Sequence, residues 1–185
     1  METLNHLLNR VSNWKTLLVL IAAYVVFPAY ILKNAETKIN ELTGKAIGPI
    51  DLTFGFDPQR TLQMVADYGD EARAYYAIGE MTMDVIYPIV YAFLFGVILT
   101  LLFRNKPYRP FHYINVLPFL AMVFDFLENT FIVLLLYRFP EQSMVLATFC
   151  EIFKLLKWLT LIPIILSMIY GLAKMSWSNK KTGYQ

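Results

Sequence analysis

Three stretches of this chain place ionisable side chains where apolar ones are expected. Phe124-Asp125-Phe126-Leu127-Glu128-Asn129 lies inside an apolar run from Tyr113 to Tyr137. Asp125 and Asn129 are four residues apart, and Glu128 is three from Asp125, so helical spacing gathers them on one side. Glu80 and Asp84 share the same four-residue spacing in a second apolar run, and Glu151, Lys154 and Lys157 fall in a third. Burying such groups in hydrocarbon costs several kcal/mol unless they find partners or face water. Five acids set against two lysines leave a surplus that must be protonated, wetted or matched by a bound cation. The chemistry within reach is general acid work by Asp84, Asp125 or Glu128, with Lys154 polarising or pairing. Glu80, Asn129, Glu151 and Lys154 are the expected ligand-binding groups. A purely structural network is the competing reading, since polar contacts between membrane helices contribute about 0.6–2 kcal/mol each.

The elements that would position these groups follow from composition. Of 185 residues, 57% are hydrophobic and 16% charged. Four apolar segments approach the roughly 20 residues that cross a bilayer. The expectation is an all-α integral membrane protein: a single domain, 1–185, built as a four-helix bundle. An amphipathic helix at 1–15 precedes span 1 at 17–32; a folded loop at 33–75 leads to span 2 at 76–103, span 3 at 111–137 and span 4 at 144–173. Leu4, Leu7, Leu8, Val11 and Trp14 recur at helical intervals in the first segment, which suits a helix lying in the membrane interface. The apolar core after Lys15 lacks a small-residue cleavage site and reads as a retained span.

Basic residues set the expected orientation. Arg10 and Lys15 precede span 1; Arg104, Lys106 and Arg109 join spans 2 and 3; Lys174, Lys180 and Lys181 follow span 4. The positive-inside rule then puts both termini in the cytoplasm, in a cell inner (plasma) membrane, and the long first loop outside. In that loop Ile50, Leu52, Phe54 and Phe56 alternate with Asp51, Thr53 and Gly55, predicting an extended segment. Asp57-Pro58 predicts a helix start, with Leu62, Val65 and Tyr68 on its apolar side and Gly69 at its end. Asp70 is expected to cap the next helix. The loop would form a lid over acids contributed at similar depth by spans 2, 3 and 4.

Each predicted span contains one proline: Pro28, Pro88, Pro118 and Pro163. A proline inside a helix frees the carbonyl four residues earlier. For Pro88 that carbonyl belongs to Asp84, adding an acceptor to the polar cluster. Cys150, the only cysteine, allows no internal disulfide, redox pair or thiolate metal site. No metal or other cofactor is expected: there is no Glu-x-x-His pair, and His6 and His112 fall at the ends of the elements. Gly-rich phosphate loops and nucleophile elbows are absent, and a net charge of +2 does not suggest nucleic acid.

The runs Asp51-Leu-Thr-Phe-Gly-Phe-Asp-Pro58, Tyr68-Gly-Asp-Glu-Ala-Arg-Ala-Tyr75 and Asp84-Val-Ile-Tyr-Pro88, with Phe124–Asn129, resemble a family of bacterial four-span membrane proteins. That family implies the fold and no particular reaction. Glu80 and Pro88-Ile89 through Tyr91-Ala92-Phe93-Leu94 are more loosely similar to the EXPERA superfamily of sterol isomerases and the sigma-2 receptor. This resemblance implies an amphiphile-binding cavity. It does not extend to isomerase chemistry, because span 1 carries no carboxylate and no histidine falls in the pocket. The expected function is therefore a membrane-embedded binding protein for a lipid-like or cationic small molecule, with or without acid/base chemistry. The alternatives are a non-enzymatic accessory or assembly subunit docking a partner membrane protein, and a proton-coupled carrier.

Overall fold

In the computed structural model, residues 1–104 and 113–182 are described, with side chains to residue 175. Lys106, Arg109, His112 and the expected start of span 3 lie outside the described residues, as do the side chains of Lys180 and Lys181. The described chain is helical: α1 (Glu2–Val11), α2 (Trp14–Val26), α3 (Lys33–Thr43), α4 (Pro58–Asp67), α5 (Gly69–Phe103), α6 (Leu117–Arg138) and α7 (Met144–Thr182). Four helical stretches are long and apolar enough to cross a membrane: Trp14–Thr43, Gly69–Phe103, Ile114–Arg138 and Met144–Met175. An all-helical bundle with four such stretches marks an integral membrane protein.

The bundle proper is α5, α6 and α7, in which the α6–α7 and α5–α6 pairs are the most extensive contacts between elements. Close approach depends on small residues. A Cβ at Gly171 would come within 2.9 Å of the Leu102 side chain on α5, so a larger residue there would push Leu102 aside. Span 1 is looser: none of its most apolar window is buried. It touches α5 through Tyr24, whose ring lies 5.7 Å from Tyr87 and 5.6 Å from Phe95.

Span 1 does not stop at residue 32. Pro28 disturbs the α-ladder, the chain widens into a π-helical segment over Phe27–Leu32, and α3 continues to a left-handed Gly44. Span 2 likewise starts earlier than residue 76, at Gly69. Pro118 is not an interior bend. It occupies the first turn of α6, where its missing N–H leaves no gap in the helix. Pro88 and Pro163 do lie inside their helices.

The loop between spans 1 and 2 has its own core. Asp57 Oδ1 accepts from Arg60 N at 2.9 Å and Pro58 opens α4. Leu62, Val65 and Tyr68 are buried on the apolar side of that helix, and Gly69 takes a positive φ at its end. They pack with Ile39, Ile50 and Tyr76 on Ile132, Leu135, Ala147 and Cys150 of the bundle. The Tyr68 hydroxyl donates to Gly48 O at 2.7 Å, and burial pushes this phenol above its usual range, so it stays a donor. Two sequence expectations fail in this region. Residues 50–56 are not an extended segment: Ile50–Leu52 is a 3-10 turn and Phe54 is 81% exposed. The alternation marked one anchor, Ile50, and not a packed face. Asp70 does not cap α5; its carboxylate pairs with Arg73, whose guanidinium also lies 3.8 Å over the Phe139 ring.

At the opposite end α1 docks on the bundle. Leu8 is fully buried, and a Cβ at Gly96 would meet its side chain at 3.1 Å. Asn115 Nδ2 donates to Asn5 Oδ1 at 2.7 Å and to Thr100 Oγ1 at 3.0 Å, tying α1, α5 and the start of span 3 together.

Candidate functional site

In spans 2 and 4 the acids and the lysines that pair with them come before a long uncharged run. Val85 through Phe103 contains no charge, and at 1.5 Å per residue is about 28 Å long, enough by itself to cross hydrocarbon. Trp158 through Ala173 is similarly uncharged over about 24 Å. Glu80, Asp84, Lys154 and Lys157 therefore precede the most apolar part of their helices.

Two ion-pair networks form there. In the first, Lys154 Nζ lies 2.6 Å from Glu151 Oε1 on the same face of α7. Both are almost completely buried. The loop supplies the remaining partners: Thr61 Oγ1 donates to Glu151 Oε1 at 2.6 Å, Asp57 N donates to Glu151 Oε2 at 3.1 Å, and Lys154 donates to Thr53 Oγ1 at 2.8 Å. One acid, one base and three loop groups close the network.

The second network joins three helices. Lys157 Nζ on α7 lies 2.6 Å from Glu128 Oε2 and 3.3 Å from Asp125 Oδ1, both on α6. Tyr91 OH on α5 donates to Asp125 Oδ2 at 2.9 Å. Asn129 Nδ2 donates to Asp84 O at 2.9 Å, using the carbonyl that Pro88 frees. Here one ammonium meets two carboxylates. No side chain among the described residues is hydrogen-bonded to the Asp84 carboxylate, which is only partly buried.

This second network faces a cavity of about 540 Å3. Asp84, Asp125, Asn129 and Lys157 line it from the bundle, Lys33 and Glu36 from α3, and Asp51 from the loop that follows. Its walls are aromatic: Tyr24 from span 1, Tyr87, Tyr91 and Phe95 from α5, and Trp158 from α7. The indole N–H of Trp158 is buried without a hydrogen-bond partner. Leu32, Glu36, Asp51, Leu52 and Asp84 also line an adjoining hollow of about 370 Å3 beneath α3. Because span 1 forms one wall and is itself barely packed, the cavity adjoins the surface that lipid would cover.

The predicted site residues thus separate into four places. Asp84, Asp125 and Asn129 meet at the cavity. Glu128 lies behind Lys157 and does not line it. Glu151 and Lys154 are engaged with the loop. Glu80, although one turn from Asp84, lines a different groove between α5 and α6, with Asn129 standing between the two. Four-residue spacing leaves two side chains about 40° apart around a helix axis, enough to place them on either side of one neighbouring residue. Sequence reasoning missed Glu36, Asp51, Tyr91 and Trp158 as lining groups. Only Tyr91, one turn beyond the freed Asp84 carbonyl's proline, carried a local signal.

Among the described residues, no three His, Cys, Asp or Glu side chains are grouped to hold a metal ion. Comparisons with protein-family models, with curated proteins and with solved structures returned no match.

Proposed function

We propose that the chain is a membrane-embedded binding protein for a cationic amphiphile, received in the Asp84–Asp125–Lys157 cavity. The observation that carries this reading is the uncompensated charge of the cavity wall. Four acids, Asp84, Asp125, Glu36 and Asp51, face it against two lysines, Lys33 and Lys157, and Lys157 is already engaged by Glu128 and Asp125. A desolvated anionic wall gains most from a cation. Five aromatic rings around it would add cation–π attraction, about 0.5–2 kcal/mol for a well-placed cation. The cavity volume lies within the range of small-molecule sites. Entry would be sideways, between the loosely held span 1 and the bundle, with the alkyl portion remaining against lipid.

The first loop would then be extracytoplasmic and act as a lid, with both termini in the cytoplasm and α1 at the inner interface. Should the protein also act on its ligand, Asp84 is the acid best placed to touch it, because its carboxylate is uncommitted at the wall. The loose sequence resemblance of Glu80 and Pro88 through Leu94 to the EXPERA superfamily implies the same ligand class.

Trp158 supplies the test. With Trp14→Phe and Trp177→Phe, its fluorescence alone is read in phosphatidylcholine nanodiscs. A bromoalkyl-trimethylammonium should quench it saturably at low mole fraction, and the bromoalkyl sulfate of the same length should quench it only in proportion to its partitioning. Equal, non-saturable quenching by both would refute the reading.

A further inference from the structure

The groove between α5 and α6, on the other side of Asn129, contains a feature that the cavity above does not use. Glu80 is 1% exposed, and neither of its carboxylate oxygens has a hydrogen-bond partner. The Tyr76 hydroxyl, one turn earlier, stands beside Glu80, but its single proton is donated to Asp51 Oδ1 at 2.8 Å. Within the groove, Asn129 donates to the Asp84 carbonyl and the Thr130 hydroxyl donates to Phe126 O at 2.7 Å, so neither serves Glu80. The remaining lining is Met81, Val85, Val133 and Leu134, several of them exposed on the face that lipid would cover. A buried carboxyl group without a partner costs several kcal/mol, and apolar neighbours cannot offset it.

We propose that this groove of about 460 Å3 is a second site, for a single-chain lipid-like molecule whose head donates a hydrogen bond, a hydroxyl or primary amine, to Glu80. The depth suits such a molecule. Glu80 precedes the uncharged run from Val85, which places it near the boundary where a polar head resides while its chain follows Val85 and Leu134. The near-complete burial of Glu80 admits a slender head at the end of one chain and not the backbone of another helix. This inference does not rest on the cationic cavity, since the two sites share only Asn129.

The test uses the full chain in phosphatidylcholine nanodiscs with three photoreactive diazirine probes: hexadecanol, hexadecylamine and hexadecane. Labelled residues are located by mass spectrometry. The alcohol or the amine should label Met81, Val85, Val133 or Leu134 about fivefold more than the hydrocarbon does, the effect of one net hydrogen bond, and Glu80→Leu should abolish the excess. Glu80→Gln retains an acceptor without the charge: surviving excess labelling by the alcohol assigns a hydroxyl ligand, and selective loss of amine labelling assigns an ammonium. Quenching of Trp158 by the trimethylammonium probe should be unchanged in Glu80→Gln, which shows that the fold and the first cavity persist. Equal labelling by all three probes in the wild type, or labelling insensitive to Glu80→Leu, overturns the proposal. So does Glu80-dependent cross-linking between two copies of the chain without head-group preference.

Discussion

Glu151–Lys154 and Asp125–Glu128–Lys157 are built from the same residue types, a turn apart on α7, and both are buried. Their surroundings differ. Around Glu151 and Lys154 the loop contributes a backbone N–H and two threonine hydroxyls, so charge and hydrogen bonding both close. Around Lys157 one ammonium serves two acids, and Asp125 and Lys157 open onto a cavity bearing further carboxylates. Burying charge favours a fold only when the partners are complete. The closed network is accordingly a fastener between loop and bundle, and the open one is where an outside cation would complete the count.

Variants that separate these roles test the comparison, and the largest effect is expected at the fastener. Glu151→Leu strands the Lys154 ammonium and removes the loop's acceptor. It should cost about 3–5 kcal/mol, the range for breaking a buried pair, with tryptic cleavage at Lys45 or Arg60 accelerating as the loop lifts. Cationic-amphiphile affinity should change less than stability does; a stable protein that had lost binding would reverse the two assignments. Lys157→Met comes next. It should lower stability by about 3 kcal/mol yet raise affinity for a cation on the order of tenfold, because one positive charge leaves the wall. Opposite signs in unfolding and binding assays are the expected pattern, and a fall in both would mark Lys157 as structural only.

Smaller effects belong to single hydrogen bonds. Tyr91→Phe removes the donor to Asp125 and should cost about 1 kcal/mol, read by chemical unfolding in detergent. Asn129→Leu breaks the bond to the Asp84 carbonyl across α5 and α6, for about 0.6–2 kcal/mol. An unchanged midpoint would show that Pro88 leaves that carbonyl otherwise satisfied.

Parts of this arrangement are legible in the sequence because they are local. The start of α4 follows from Asp57-Pro58, its end from Gly69, and the acceptor at Asp84 from the position of Pro88. The placement of charges along spans 2 and 4 is also legible, since uncharged runs follow Asp84 and Lys157. What is not legible depends on how the loop folds back. Glu36 and Asp51 reach the cavity only because α3 prolongs span 1 through a π-helical segment that hydrophobicity does not signal. Residues 50–56 alternate as a half-buried strand would, yet only Ile50 finds a core. Helical spacing also groups Glu80 with Asp84, and Asn129 from another helix separates them. Counting acids against lysines along the sequence identifies a charge surplus without showing that Glu151 and Lys154 are not part of it.

The most direct measurement is the ratio of dissociation constants for an alkyl-trimethylammonium and the alkyl sulfate of equal chain length, in nanodiscs, for the wild type and Asp84→Asn. The wild type should prefer the cation, and Asp84→Asn, with folding unchanged, should reduce that preference about tenfold, as expected for one charge at contact distance from the ligand. A wild type indifferent to the sign of the head group, or a preference untouched by Asp84→Asn, would contradict the assignment of the open network as a binding site.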